Sequence, residues 1–110
     1  MSDNWVAVAP VSEIPEGESR GYDLPDNPVF VVHRDGQLYG YRNSCPHLGI
    51  QLEWQPHQFL DSEGYFIQCS SHGALFNVAD GLCVAGPCSG KALQAVPLEV
   101  RDGDVYLQLG

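Results

Sequence analysis

Apolar residues along the chain fall in short bursts broken by polar or glycine-bearing stretches, and none keeps a helical period over any length. The runs "WVAVA" (5–9), "VFVVH" (29–33), "QLYGYR" (37–42), "YFIQC" (65–69), "ALQAVPLEV" (92–100) and "VYLQL" (105–109) are β-branched or aromatic and often alternate with polar residues. Each predicts a strand. Asp-Gly recurs at 35–36, 80–81 and 102–103. The first and third of these lie between strand-like runs, where both residues tolerate the positive φ of a tight hairpin turn. "EIPEGES" (13–19) reads as a surface turn, and "QLEWQPHQFL" (51–60) holds no more than a turn or two of helix around Pro56. There is no repeat, low-complexity tract or linker. The pattern predicts one all-β domain over residues 1–110, of stacked antiparallel sheets with chemistry on the loops at strand ends.

Charge narrows the partners. Fourteen Asp and Glu against five Lys and Arg leave a formal net charge of −9 over 110 residues. Such a polyanion repels phosphate backbones and anionic membrane surfaces, so nucleic acid and membrane are set aside and a basic protein partner is favoured. No apolar run approaches the roughly 20 residues that cross a bilayer. The opening "MSDNWVAVAP" has neither the basic nor the long apolar region of a secretory signal. A cytoplasmic monomer is the expectation. Four cysteines in that compartment point to metal or redox chemistry rather than a disulfide framework.

Cys45 and His47 form C-x-H; after 21 intervening residues Cys69 and His72 form C-x-x-H. Thiolate and imidazole suit iron or zinc, and four such groups complete one site. Pro46 restricts the chain within the first pair, and Gly49 and Gly73 allow sharp backbone just after each pair. The pairs lie on separate loops, so the fold must bring them together. Structural zinc would satisfy the same donor set, although zinc motifs usually open with two cysteines two to four residues apart. A catalytic Cys–His pair is a third reading, and it leaves the other pair without a role.

The loops "CPHLG" and "CSSHG" resemble the ligand loops of the Rieske family, and "GPCSGKALQAVP" (86–97) resembles its proline-bearing third loop. The resemblance implies a tip built from these three loops and a Rieske-type 2Fe–2S cluster. Cys45 and Cys69 would hold the inner iron, and His47 and His72 the outer iron near solvent. Replacing two thiolates by imidazoles makes the cluster less negative, and such centres span about −150 to +300 mV. The departures also carry information. Respiratory Rieske subunits join an extra cysteine from each ligand loop in a disulfide, where this chain has Ile50 and Ser71. They also set hydroxyls near the cluster sulfurs, where this chain has Ala74 and Phe76. Fewer hydrogen bonds to sulfur predict a potential in the lower part of the range, below about +50 mV. The spacer 48–68 is longer than in small Rieske ferredoxins.

The implied function is that of a soluble one-electron carrier, a Rieske-type ferredoxin between a flavin reductase and a terminal oxygenase, with no substrate chemistry of its own. The alternative is a cluster-bearing accessory or redox-sensing subunit, similar to the small subunit of nitrite reductases. Outside the ligand set, Cys83 reads as a small buried residue, and Cys88 as a thiol of the third loop that is not bonded to it. His33 reads as a strand-end histidine and His57 as an exposed spacer residue. Trp5, Trp54 and Phe59 read as core or cover, with Trp54 and Phe59 also candidates for an apolar docking patch.

Overall fold

The computed structural model describes residues 5–24, 27–44, 52, 57–61, 64–69, 73–86 and 90–108. Ten strands run through these: β1 (Trp5–Pro10), β2 (Ser19–Leu24), β3 (Asn27–Arg34), β4 (Gln37–Arg42), β5 (Phe66–Gln68), β6 (Leu75–Asn77), β7 (Cys83–Ala85), β8 (Ala95–Val96), β9 (Leu98–Arg101) and β10 (Asp104–Gln108). One 3-10 turn, Val11–Glu13, follows β1. The strands form three sheets, ordered β1-β10-β9, β2-β3-β4-β8 and β5-β6-β7. Every strand pair is antiparallel. The all-β architecture of stacked antiparallel sheets is thus as the sequence predicts, and among the described residues no helix is long and apolar enough to cross a membrane.

Strand β3 explains how the sheets hold together. Val29 and Val31 face a core shared with Ile14, Val96, Val105 and Leu107. Phe30 and Val32 face a second core with Tyr41, Phe59, Ile67 and Phe76. All four β3 residues have no exposed surface. A strand buried on both faces reads as a continuous apolar run rather than an alternation. On β4, Gly40 leaves room for the sheet above: a Cβ there would lie 3.1 Å from Leu107 Cδ2.

The turns follow the Asp-Gly signals. Asp35 and Gly36 have φ 53 and 76, and Asp102 and Gly103 have φ 52 and 83, the paired positive values of a type I′ hairpin. "ALQAVPLEV" departs from the single strand predicted. It is two strands split at Pro97: β8 pairs with β4, and β9 pairs with β10 in another sheet. Proline offers no amide to a ladder, and here it marks the crossing between sheets. The short strands β6 and β7, and β2 with its polar sequence "SRGYDL", carry too little apolar pattern to be seen in advance. Of the helical turn suggested for 51–60, the described residues show a turn at His57 and bridge residues at Gln58 and Leu60, the latter paired with Ile67, and the remainder lies outside them.

Candidate metal centre

Of the four candidate ligands the described residues include Cys69; Cys45, His47 and His72 lie outside them, as do Ile50, Trp54, Ser71 and Cys88. The structure does show where each loop is closed. The first leaves β4 through Asn43, which is 4% exposed. Its N–H donates to Pro28 O at 2.8 Å, and its Oδ1 accepts the Leu52 N–H at 2.8 Å. One buried amide therefore ties together both ends of the stretch that contains Cys45 and His47. Inside an apolar core an unpaired Leu52 N–H would be costly, so Asn43 has a strict task.

The second loop is the β5–β6 hairpin. Cys69 N–H donates to Ala74 O at 2.9 Å, and Gly73 turns the chain with φ 64. Cys69 and Ala74 are both buried at its mouth. The third loop begins against this hairpin. Gly86 has φ 102, and a Cβ on it would come within 2.8 Å of Ala74 Cα. Only a residue without a side chain lets the two loops approach so closely. The loop is closed farther back by Cys83 N–H to Lys91 O at 2.8 Å and Leu93 N–H to Gly81 O at 2.9 Å.

This arrangement fits an iron–sulfur group. Cys69 and Cys83 are thiols, not disulfide partners. The Cys69 side chain belongs to a core with Ile67, Ala74, Phe76 and Leu52. As a ligand Cys69 would be a thiolate, and a thiolate so buried needs a cation to bear its charge. Iron meets that need, and the apolar shell keeps water from the sulfur side of such a centre.

A family model described as the Rieske [2Fe-2S] domain matches residues 4–100. The chain belongs to the Rieske [2Fe-2S] domain family. Its cofactor is therefore a Rieske-type 2Fe–2S cluster, and zinc and a catalytic Cys–His pair fall away. The chain is 31% identical to ferredoxin CarAc of Metapseudomonas resinovorans over 108 residues, 97% of this chain and 95% of that protein. It is 30% identical to the cytochrome b6-f complex iron-sulfur subunit of Chlorobaculum tepidum over 96% of its own length, and spans 54% of that relative. A chain in the solved complex of reduced oxygenase and oxidized ferredoxin in carbazole 1,9a-dioxygenase superposes with a TM-score of 0.77 at 27% identity. That match covers 97% of this chain and 94% of that one. Like the Rieske ferredoxins it resembles, the protein is a one-electron carrier.

Several residues around the Rieske site behave otherwise than their types imply. His57 is not a bystander on the spacer: it is half-buried, and its Nδ1 accepts the Gly21 N–H at 3.0 Å. Phe59 is fully buried and stacks on Phe30 with ring centroids 4.3 Å apart, so it is core and no part of a docking patch. Tyr41 donates to Val78 O at 2.6 Å, fastening β4 to the turn after β6. Burial, with lesser contributions from Asp80 and Tyr39, pushes the Tyr41 hydroxyl up to about 12, so it stays a donor across the physiological range. Cys83 is buried as its type implies, and His33 ends β3 with Nδ1 2.7 Å from Ile14 O and Nε2 3.5 Å from Glu16 Oε1. Asn43 and Ser19 were not among the residues that motif reading singles out. The one advance sign was an Asn two places before the first ligand motif.

Proposed function

We propose that this chain accepts an electron from a flavin reductase and delivers it to a terminal oxygenase, without substrate chemistry of its own. Cys45 and Cys69 hold one iron, and His47 and His72 hold the other. The bound cluster supplies reversible one-electron uptake. The chain's own residues supply the cage: Asn43 closes the loop of Cys45 and His47, and the Cys69–Ala74 bond closes the loop of Cys69 and His72. The observation that carries this reading is the buried Cys69 thiol at the mouth of a closed hairpin, next to the third loop at Gly86. The near full-length likeness to a chain in the solved complex of oxygenase and ferredoxin supports the oxygenase as acceptor. The acidic surface suits basic faces on both partners. The buried Cys83 thiol is in keeping with a reducing cytoplasm.

The test is electron paramagnetic resonance of the dithionite-reduced protein, with iron and zinc analysis of the same sample. About two irons per chain and a rhombic low-temperature signal support mixed Cys/His ligation. One zinc and a silent spectrum overturn it. Ala74 and Phe76 are buried and bring no hydroxyl, so the potential is expected below about +50 mV. A titration midpoint above about +200 mV overturns that part.

A further inference from the structure

The spacer that joins the two ligand loops meets β2 at His57. His57 has φ 66, a left-handed backbone that a side chain of its size seldom adopts. Its carbonyl accepts from Ser19 Oγ at 2.8 Å, and Ser19 Oγ accepts the Phe59 N–H at 3.3 Å. Its ring Nδ1 accepts the Gly21 N–H at 3.0 Å. Among the described residues β2 is the outer strand of its sheet and no further strand reaches that amide, so the imidazole takes the place of one. An accepting Nδ1 fixes a neutral ring with its proton on Nε2.

We propose that His57 is a proton-sensitive positioning residue: neutral, it fastens the spacer to β2 and so steadies the first ligand loop, and a proton on Nδ1 releases it. Protonated imidazole is a donor at both nitrogens, so Nδ1–H would face Gly21 N–H and the contact would turn repulsive. The effect reaches the ligand loop through a short chain path. Leu52, whose N–H is held by Asn43, stands five residues before His57 in the chain, and Phe59, stacked on Phe30, stands two after it. The released ring has a place to go. His57 lines a cavity of about 300 Å³ with Ser19, Gln58 and two carboxylates, Glu18 beside β2 and Asp61 from the spacer. Asp61 Oδ1 already accepts the Tyr65 and Phe66 amides. On β2, Arg20 Nε is taken by Glu13 O, and Tyr22 packs toward the other core. Opposite Gly21, β3 offers Phe30, which does not ionise.

The consequence for the cluster rests on the Rieske reading; the latch itself does not. The test compares wild type with His57→Asn and His57→Gly as holoproteins, at about pH 5.5 and about pH 8. Asparagine keeps an acceptor atom at the same branch point, tolerates left-handed backbone and does not titrate. Glycine suits the backbone and lacks the acceptor. Two quantities are followed: amide hydrogen exchange of residues 19–24, corrected for intrinsic rate, and loss of visible cluster absorbance. In wild type, acidification should speed both by about tenfold more than in His57→Asn, the equivalent of one hydrogen bond. His57→Gly should be fast at both values. Equal pH profiles in wild type and His57→Asn overturn the proposal, as does full protection in His57→Gly. A chain that purifies without iron removes the Rieske reading, and exchange over residues 19–24 still decides the latch.

Discussion

The two cores of the molecule are built from different materials. The one between β3 and the outer sheet is aliphatic: Ile14, Val29, Val31, Val96, Val105 and Leu107. The one under the cluster loops holds Phe30, Tyr41, Phe59, Phe76, two thiols and small residues such as Ala74. Branched aliphatic side chains fill space without direction and serve chiefly to keep the sheets together. Large aromatic rings, a buried amide at Asn43 and a glycine pressed on Ala74 impose specific distances. The first core supplies stability, and the second sets the positions where three loops begin and end.

Substitutions that separate stability from cluster properties test this division. The largest effect is expected of Cys69→Ala, which should abolish cluster binding while the apo chain keeps its β-sheet circular dichroism; iron retained at wild-type content would contradict the ligand assignment. Leu107→Ala, in the aliphatic core, should cost about 2–5 kcal/mol in urea unfolding and leave the reduction potential where it was. A shifted potential there would mean the cores are not separable. Gly86→Ala should cost about 3 kcal/mol, because its Cβ meets backbone at 2.8 Å and the left-handed region is strained. Gly103→Ala has the same sign of φ with open space around it and should cost clearly less.

Asn43→Ala should destabilise by about 1–3 kcal/mol through the orphaned Leu52 amide. Unlike Leu107→Ala it should also move the potential, since the loop of Cys45 and His47 loses its closure. The smallest effect belongs to Glu16, at the far end of β3. The Gly36 amide first, then that of Asp35, holds its carboxyl below the ordinary 4.5. A depressed carboxyl contributes stability above its unfolded value and loses it as pH falls through the folded one. Glu16→Gln should therefore lower stability slightly at neutral pH and flatten the acid limb below about pH 4.5, where variant and wild type converge. Thermal melts across that range would show it.

Much of this was legible in the chain, and the gaps have physical causes. β4 was bounded correctly at 37–42, and the runs at 29–33 and 105–109 fall within β3 and β10 or overlap it, because buried branched residues write themselves into the pattern. β2 was invisible: its sequence "SRGYDL" owes its extended form to pairing with β3 and to a histidine from the spacer, both distant in sequence. β6 and β7 are three residues each, too short for any period to register. The family was legible through the motifs that hold Cys45, His47, Cys69 and His72. Asn43, Ser19 and His57 were not, because each works through a backbone amide or carbonyl that the sequence does not pair in advance.

Strand β3 has no outward side along Val29–Val32, and both cores lean on it. Melting either one would strip half the burial from the strand that the other requires. The core under the cluster loops therefore has no independent melting point. The sheets beneath the loops stand or fall with the whole molecule in one cooperative transition, whatever the loops themselves are doing.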